Sequence, residues 1–246
     1  MKKLALLFGF SVLTLTSCTK DDSPTPILLK TITNGNDVTA LTYNGNKIVT
    51  VGDSETYTYT GDLITRKESK SGNNMSSVDY TYKNGKLISE VEKLNGGNGT
   101  DLKAASQKDY TYNDDGTVTA KIYRYQNGVP TVFGTSKITL ENGNIVKIEN
   151  FYPEGDSSGG AVYEYDNKIN PLNNITGYSK LFDPNYSSKN NFTKSIETDS
   201  FGGALQTYTT TRVFTYNDKG YPATSQSTSF YSSGGTPATS NRVYTY

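Results

Sequence analysis

One pattern recurs from residue 37 onwards and limits the possible folds more than any other feature. An aromatic residue is followed by a polar turn of Asn, Asp or Gly, and then by an aliphatic residue. The copies are Tyr43-Asn44-Gly45-Asn46-Lys47-Ile48, Tyr59-Thr60-Gly61-Asp62-Leu63-Ile64 and Tyr82-Lys83-Asn84-Gly85-Lys86-Leu87. Tyr112 to Val118 is one residue longer, Leu140 to Ile145 has Leu in the aromatic place, and Tyr165 to Ile169 lacks the Gly. Tyr216 to Tyr221 closes the series with Tyr in the aliphatic place. Two-residue hairpin turns need positive φ, which Asn and Gly adopt at little cost. Asn-Gly at 44–45, 84–85 and 142–143 therefore marks hairpins.

The flanks alternate with period two, as in Tyr57/Tyr59, Tyr80/Tyr82, Tyr110/Tyr112, Tyr163/Tyr165, Phe214/Tyr216 and Tyr244/Tyr246. Residues two apart share one face of a strand. Each copy thus reads as one turn between two strands. Turns are expected near 44–45, 61, 84–85, 114–116, 142–143 and 218–220. The whole predicts an all-β antiparallel meander of about 14–16 strands.

Leu, Ile, Val and Phe number only 50 of 246 residues, at the lower edge of what folds. The 20 Tyr and 34 Thr, with a formal charge near zero, favour half-wet strands over disorder. A flat sheet of that size would leave open edges, so closure or curling into a barrel-like sheet is expected. Period two across 145–152 puts Ile145, Lys147, Glu149 and Phe151 on one face, with Val146, Ile148, Asn150 and Tyr152 on the other. With Lys and Glu mid-strand and no apolar band, a water-soluble barrel is expected rather than a lipid-crossing one.

Residues 1–17 read as a signal peptide: Lys2 and Lys3, then an apolar run from Leu4 to Leu15, too short to span a bilayer. Leu15-Thr16-Ser17-Cys18 resembles the bacterial lipobox, which implies acylation of Cys18, the single Cys. Lys20, Asp21 and Asp22 resemble the lipoprotein export signal of Bacteroidetes. That implies an outer-membrane, lipid-anchored, surface-exposed protein. Residues 18–26 then form a lipidated tether with Ser23-Pro24-Thr25-Pro26, and 27–246 a single β-meander domain.

The repeat resembles the YD repeats of Rhs and Tc-toxin shells. The lipobox, the turns and the string Tyr163 to Pro171 together more closely resemble a family of Bacteroidetes surface lipoproteins of unknown function. That resemblance implies a porin-like β-barrel, and transfers no catalytic residue.

The absence of His excludes Ser-His-Asp and Cys-His nucleophile systems and His-ligated zinc. Balanced charge leaves no basic footprint for nucleic acid. Asn113, Asp114, Asp115, Asn217 and Asp218 could offer oxygens to Ca²⁺, but turns select the same residues for backbone reasons. No metal and no cofactor are expected.

The longest irregular stretch, 168–191, reads as a loop, with room for one short helix. It carries the candidate binding residues Tyr178, Phe182 and Tyr186, which either plug the barrel end or face a ligand. Two functional readings follow. One is a non-catalytic surface lipoprotein that binds a glycan, peptide or partner protein. The other is a carboxylate-based hydrolase of extracellular polysaccharide, which needs converging acids.

Overall fold

The computed structural model describes residues 27–96, 101–201 and 204–246. Cys18, Lys20, Asp21 and Asp22 lie outside the described residues. Among the described residues sixteen strands follow one another: β1 Thr31–Asn34, β2 Asp37–Asn44, β3 Lys47–Val51, β4 Glu55–Thr60, β5 Leu63–Ser71, β6 Asn74–Lys83, β7 Lys86–Leu94 and β8 Lys103–Tyr112. Then come β9 Val118–Gln126, β10 Val129–Glu141, β11 Asn144–Phe151, β12 Ser157–Ile169, β13 Asn190–Phe201, β14 Ala204–Tyr216, β15 Pro222–Tyr231 and β16 Ala238–Thr245. Each pairs antiparallel with its sequence neighbour. β1 pairs with β16, so the meander closes into a barrel without a free edge.

Because strand direction alternates, the turns after even-numbered strands all lie at one end. That end carries the repeat. Asn84-Gly85 and Asn142-Gly143 both hold positive φ, the geometry of the two-residue turn that follows strand twist. At the first copy the turn sits one residue later than Asn44-Gly45, on Gly45-Asn46. Gly45 takes φ 60° and Asn46 does not cross to positive φ. At Tyr165 to Ile169 no turn forms. β12 runs through to Ile169, and residues 166–168 are skipped in its pairing with β13. That copy lacks the Gly that follows Asn in the two-residue turns at 84–85 and 142–143.

The repeat also carries a β-bulge. Tyr43 pairs with Ile48 but Thr42 pairs with Thr50, so Val49 is left over. The same slip follows Tyr59, Tyr82, Leu140 and Tyr216. Tyr112 needs none, because its longer turn absorbs the extra residue. Bulges strengthen local twist and help a sheet curl. They also correct the face assignment for 145–152. Ile145 and Ile148 both join the core, since the bulge between them flips the alternation.

The lumen is layered. The first layer at the repeat end holds the motif tyrosines, interleaved with Ile48, Ile64, Leu87, Val118 and Ile145, all buried. The tyrosine hydroxyls are tied down in a regular ladder. Tyr82 donates to the Ile64 carbonyl, Tyr112 to Leu87, Tyr165 to Ile145, Tyr246 to Pro222 and Tyr43 to Leu29, at 2.7 to 3.1 Å. Tyr82, Tyr112 and Tyr165 thus bond the aliphatic position of the preceding copy, whereas Tyr59 donates to the Thr176 carbonyl and Tyr216 to the Asp166 carboxylate. This answers the hydrogen-bonding need of a buried phenol.

The second layer, two residues before the first, holds Leu41, Tyr57, Tyr80, Tyr110, Ile138, Tyr163, Phe214 and Tyr244. The third, two residues further, holds Thr39, Glu55, Val78, Lys108, Ser136, Ala161, Arg212 and Arg242. The lumen therefore turns from apolar to charged with distance from the repeat end. The outer wall is polar at mid-strand. Asp79, whose neighbour Tyr80 packs on the core, bridges Arg66 at 3.1 Å and Lys93 at 2.7 Å.

Candidate functional site

A sixteen-stranded barrel is wider than its wall side chains can fill. The segment between β12 and β13 fills the repeat end. It leaves the wall at Asn170, makes one 3₁₀ turn over Pro171–Asn174 and a second over Tyr178–Lys180, and returns at Lys189. Asn170 closes this strap. Its side-chain Oδ1 accepts from the Leu172 amide, and its Nδ2 donates to the carbonyls of Asn185 and Ser188. Backbone bonds stitch the strap to the turns it crosses, from the Thr176 amide to Asn46 and from the Lys189 amide to Gly143. Gly177, at φ 90°, sits where a Cβ would come within 2.9 Å of Ile64, so no side chain fits there.

The three aromatic residues of the strap take different places. Tyr178 is buried at 2 % exposure and packs against Tyr57 and Tyr186. Phe182 packs against Tyr110 and Tyr112 in the core. Tyr186 is half-buried. Tyr178 and Tyr186 also border a cavity of about 360 Å³ beneath the strap, and Phe182 does not. The segment that closes the barrel is thus the same one that walls the cavity.

The rest of the cavity wall comes from the third layer and its neighbours: Glu55 and Tyr57 on one side, Phe192, Arg212, Arg242 and Tyr244 on the other. Glu55 accepts the Tyr57 hydroxyl at 2.8 Å and lies 3.9 Å from Lys67. Burial, then the neighbouring tyrosine and Glu55, push the Tyr57 phenol far above its ordinary range, so it is a fixed neutral donor. Arg212 stacks 4.0 Å over the Phe192 ring and donates from Nε to Ser227. Burial pushes its guanidinium down from the ordinary range, and the Arg242 charge adds to that.

A second, more polar hollow of about 270 Å³ shares Asn185, Phe192, Arg212 and Arg242 with the first. It is walled by Ser195, Ser227, Ser229, Ser240, Tyr208 and Glu197. These residues lie along β13 to β16 towards the end opposite the strap, so the two hollows adjoin at the arginines.

Two of the turn residues are held by the turns themselves. Asp115 accepts from the amide and hydroxyl of Thr117 at 3.0 and 2.6 Å, and Asn217 accepts from the amides of Lys219 and Tyr221. Among the described residues no three His, Cys, Asp or Glu side chains gather as a metal site would require. Among the described residues Glu55 is the one carboxylate lining the 360 Å³ cavity.

The sequence reading missed Arg212 and Arg242. A signal was present: Arg212-Val213-Phe214-Thr215-Tyr216 and Arg242-Val243-Tyr244-Thr245-Tyr246 are the same string, with one Tyr for Phe. The alternation that put their aromatics on one face puts both arginines there too.

No family model matches the chain, and no curated protein matches it in sequence. In fold it is similar to a porin-like protein from Bacteroides vulgatus known from a crystal structure. The TM-score is 0.56 at 16 % identity, covering 89 % of this chain and 98 % of that one. A porin-like protein from Bacteroides uniformis matches at a TM-score of 0.37 and 15 % identity, over 88 % of this chain and 82 % of that one. The barrel architecture is therefore shared with a porin-like protein over nearly its full length.

Proposed function

We propose that this chain is a lipoprotein, anchored in the outer membrane through Cys18 and displayed at the cell surface, whose barrel is a non-catalytic binding body. The observation that carries this reading is the distribution of polarity. A lipid-crossing barrel needs an apolar outer band, and charged residues at its mid-plane are costly. Here the outer wall bears the Arg66–Asp79–Lys93 chain and the Lys194–Glu164 pair, while the apolar layer faces inward. Such a barrel suits water, and reaches the membrane through an acyl chain. A single chain anchors only marginally, which fits the multiple acylation that a lipobox implies.

A lumen closed at one end, with a serine-lined hollow towards the other, supports binding. Tyr178 and Tyr186 belong to the floor of that site, and Phe182 secures it from behind. A glycosidase needs two carboxylates flanking one bond. The cavity's single Glu55, engaged with Tyr57 and Lys67, supports capture over hydrolysis.

The anchor is tested by metabolic palmitate labelling. Wild type should label and Cys18→Ser should not; labelling of both would overturn the anchor. Surface display is tested by adding protease to whole cells. Cleavage of the wild type, with protection when Lys20, Asp21 and Asp22 are all changed to Ala, is the expected result. Equal protection of both would remove display.

A further inference from the structure

Every charge in the third layer of the lumen except two has an opposite partner. Glu55 lies 3.9 Å from Lys67, and Lys108 lies 2.7 Å from Glu90. Arg212 and Arg242 have none: among the described residues no carboxylate comes within 4.0 Å of either guanidinium. Yet they stand on strands separated only by β15 and line both hollows together. Two like charges facing one cavity cost free energy, and a half-buried cation without a counter-charge adds to that cost. Arg212 is further immobilised, by stacking on Phe192 and by its bond from Nε to Ser227, which leaves its two terminal nitrogens for another acceptor. A planar guanidinium held in this way is suited to an oxyanion with two or more oxygens.

The remaining wall narrows the ligand. Tyr57, Tyr186 and Tyr244 offer apolar faces with hydroxyl tips, and Asn185 offers a side-chain amide. Glu55 on the far wall accepts hydroxyl donors and repels a second anionic group. About 360 Å³ lies at the small end of ligand pockets. Glu197 borders the adjoining hollow, bonded by Ser195, and disfavours multiply charged anions there.

Resting on the reading of the lumen as a binding cavity, we propose that it takes an acidic monosaccharide: one hydroxylated ring bearing one carboxylate or sulfate group. The anionic oxygens sit on Arg212 and Arg242, and the ring lies between Tyr186, Tyr244 and Glu55.

The test is isothermal titration of the purified lipid-free protein with glucuronate, galacturonate, glucose 6-sulfate, glucose, glucosamine and sodium acetate. Arg212→Met and Arg242→Met are measured in parallel, with thermal melts of both. An acidic sugar should bind, with glucose and glucosamine weaker by about tenfold or more, because the charge-assisted bonds are lost. Which acidic sugar binds best separates carboxylate from sulfate. Each methionine variant should weaken binding by a similar factor; Arg242→Met should melt no lower than wild type, since it relieves like-charge repulsion, while Arg212→Met also loses its Phe192 stack and its Ser227 bond. If Arg212→Met unfolds, Arg242→Met alone decides, because Arg242 lacks the Phe192 stack that holds Arg212. Neutral sugars binding as tightly as acidic ones, unaffected by either variant, would overturn the anion assignment and leave the lumen a binding cavity. Acetate binding as tightly as the uronates would overturn the sugar assignment. No binding by any probe would overturn the binding reading itself.

Discussion

The two ends of the barrel are built from the same strands and differ in almost every physical respect. At the repeat end, Tyr and aliphatic residues interlock, bulges recur at fixed positions, and the strap is stitched across the opening. At the opposite end the lumen is lined by Ser, Thr and charged residues, and the hairpin at 232–237 is exposed throughout. Only the repeat end shows a sequence period. A period is preserved where each copy must meet the next, as the tyrosine ladder requires, and hairpin tips facing water carry no such demand. Stability and binding are therefore divided between the ends.

The largest expected effect is in alkali. Tyr59, Tyr165 and Tyr186 are pushed up to about 12, chiefly by burial. In the unfolded chain tyrosine titrates near 10. Folding thus favours the neutral phenol, so its stability is intact below about pH 10 and lost as pH rises towards 12. Phenolate absorbance and loss of β-sheet circular dichroism should rise together in one cooperative step. Smooth titration of all tyrosines near 10 with the sheet intact would break the comparison.

Core substitutions should separate the ends by magnitude. Leu87→Ala, fully buried in the repeat layer, should cost about 2–5 kcal/mol in urea unfolding. Val132→Ala, exposed near the opposite end, should stay within about 0.5 kcal/mol. Similar costs would mean the ends do not differ in packing. The ladder itself is sharpened by Tyr82→Phe and Tyr112→Phe, each expected to cost about 1 kcal/mol. Tyr231→Phe, at 58 % exposure, should be neutral.

The smallest effect belongs to a turn. The Thr117 hydroxyl and amide hold the Asp115 carboxyl down at about 2. Its contribution is present above the unfolded carboxylate range and lost as pH falls towards 2. Asp115→Asn should lower stability slightly at neutral pH, leave it unchanged near pH 2, and so flatten the acid limb of the stability profile. An unchanged acid limb would make that turn's bonds energetically silent.

Much of the fold was legible because turn chemistry and alternation are local. Asn84-Gly85 and Asn142-Gly143 announce their turns without reference to anything distant. The strand faces after each turn were not legible, because a bulge shifts parity by one residue and is seen only in pairing, as Ile145 and Ile148 show. The strap was legible as a loop from its Asn and Pro content. Its path was not, since the bonds from Thr176 to Asn46 and from Asn174 to Ile27 join residues far apart in sequence. The arginine pair lay in plain alternation. Its meaning required knowing that β14 and β16 bring Arg212 and Arg242 to one space.

The division of the molecule rests on the strap being part of the folded core. Native-state hydrogen exchange tests this directly, because amides of a docked segment exchange only when the core opens. The account predicts that the amides of Ile175, Thr176, Tyr178 and Leu181 exchange as slowly as those of Ile64 and Leu87, and far more slowly than those of 233–236 in the 232–237 tip. Strap amides exchanging as fast as the 232–237 tip, while Ile64 and Leu87 stay protected, would contradict it.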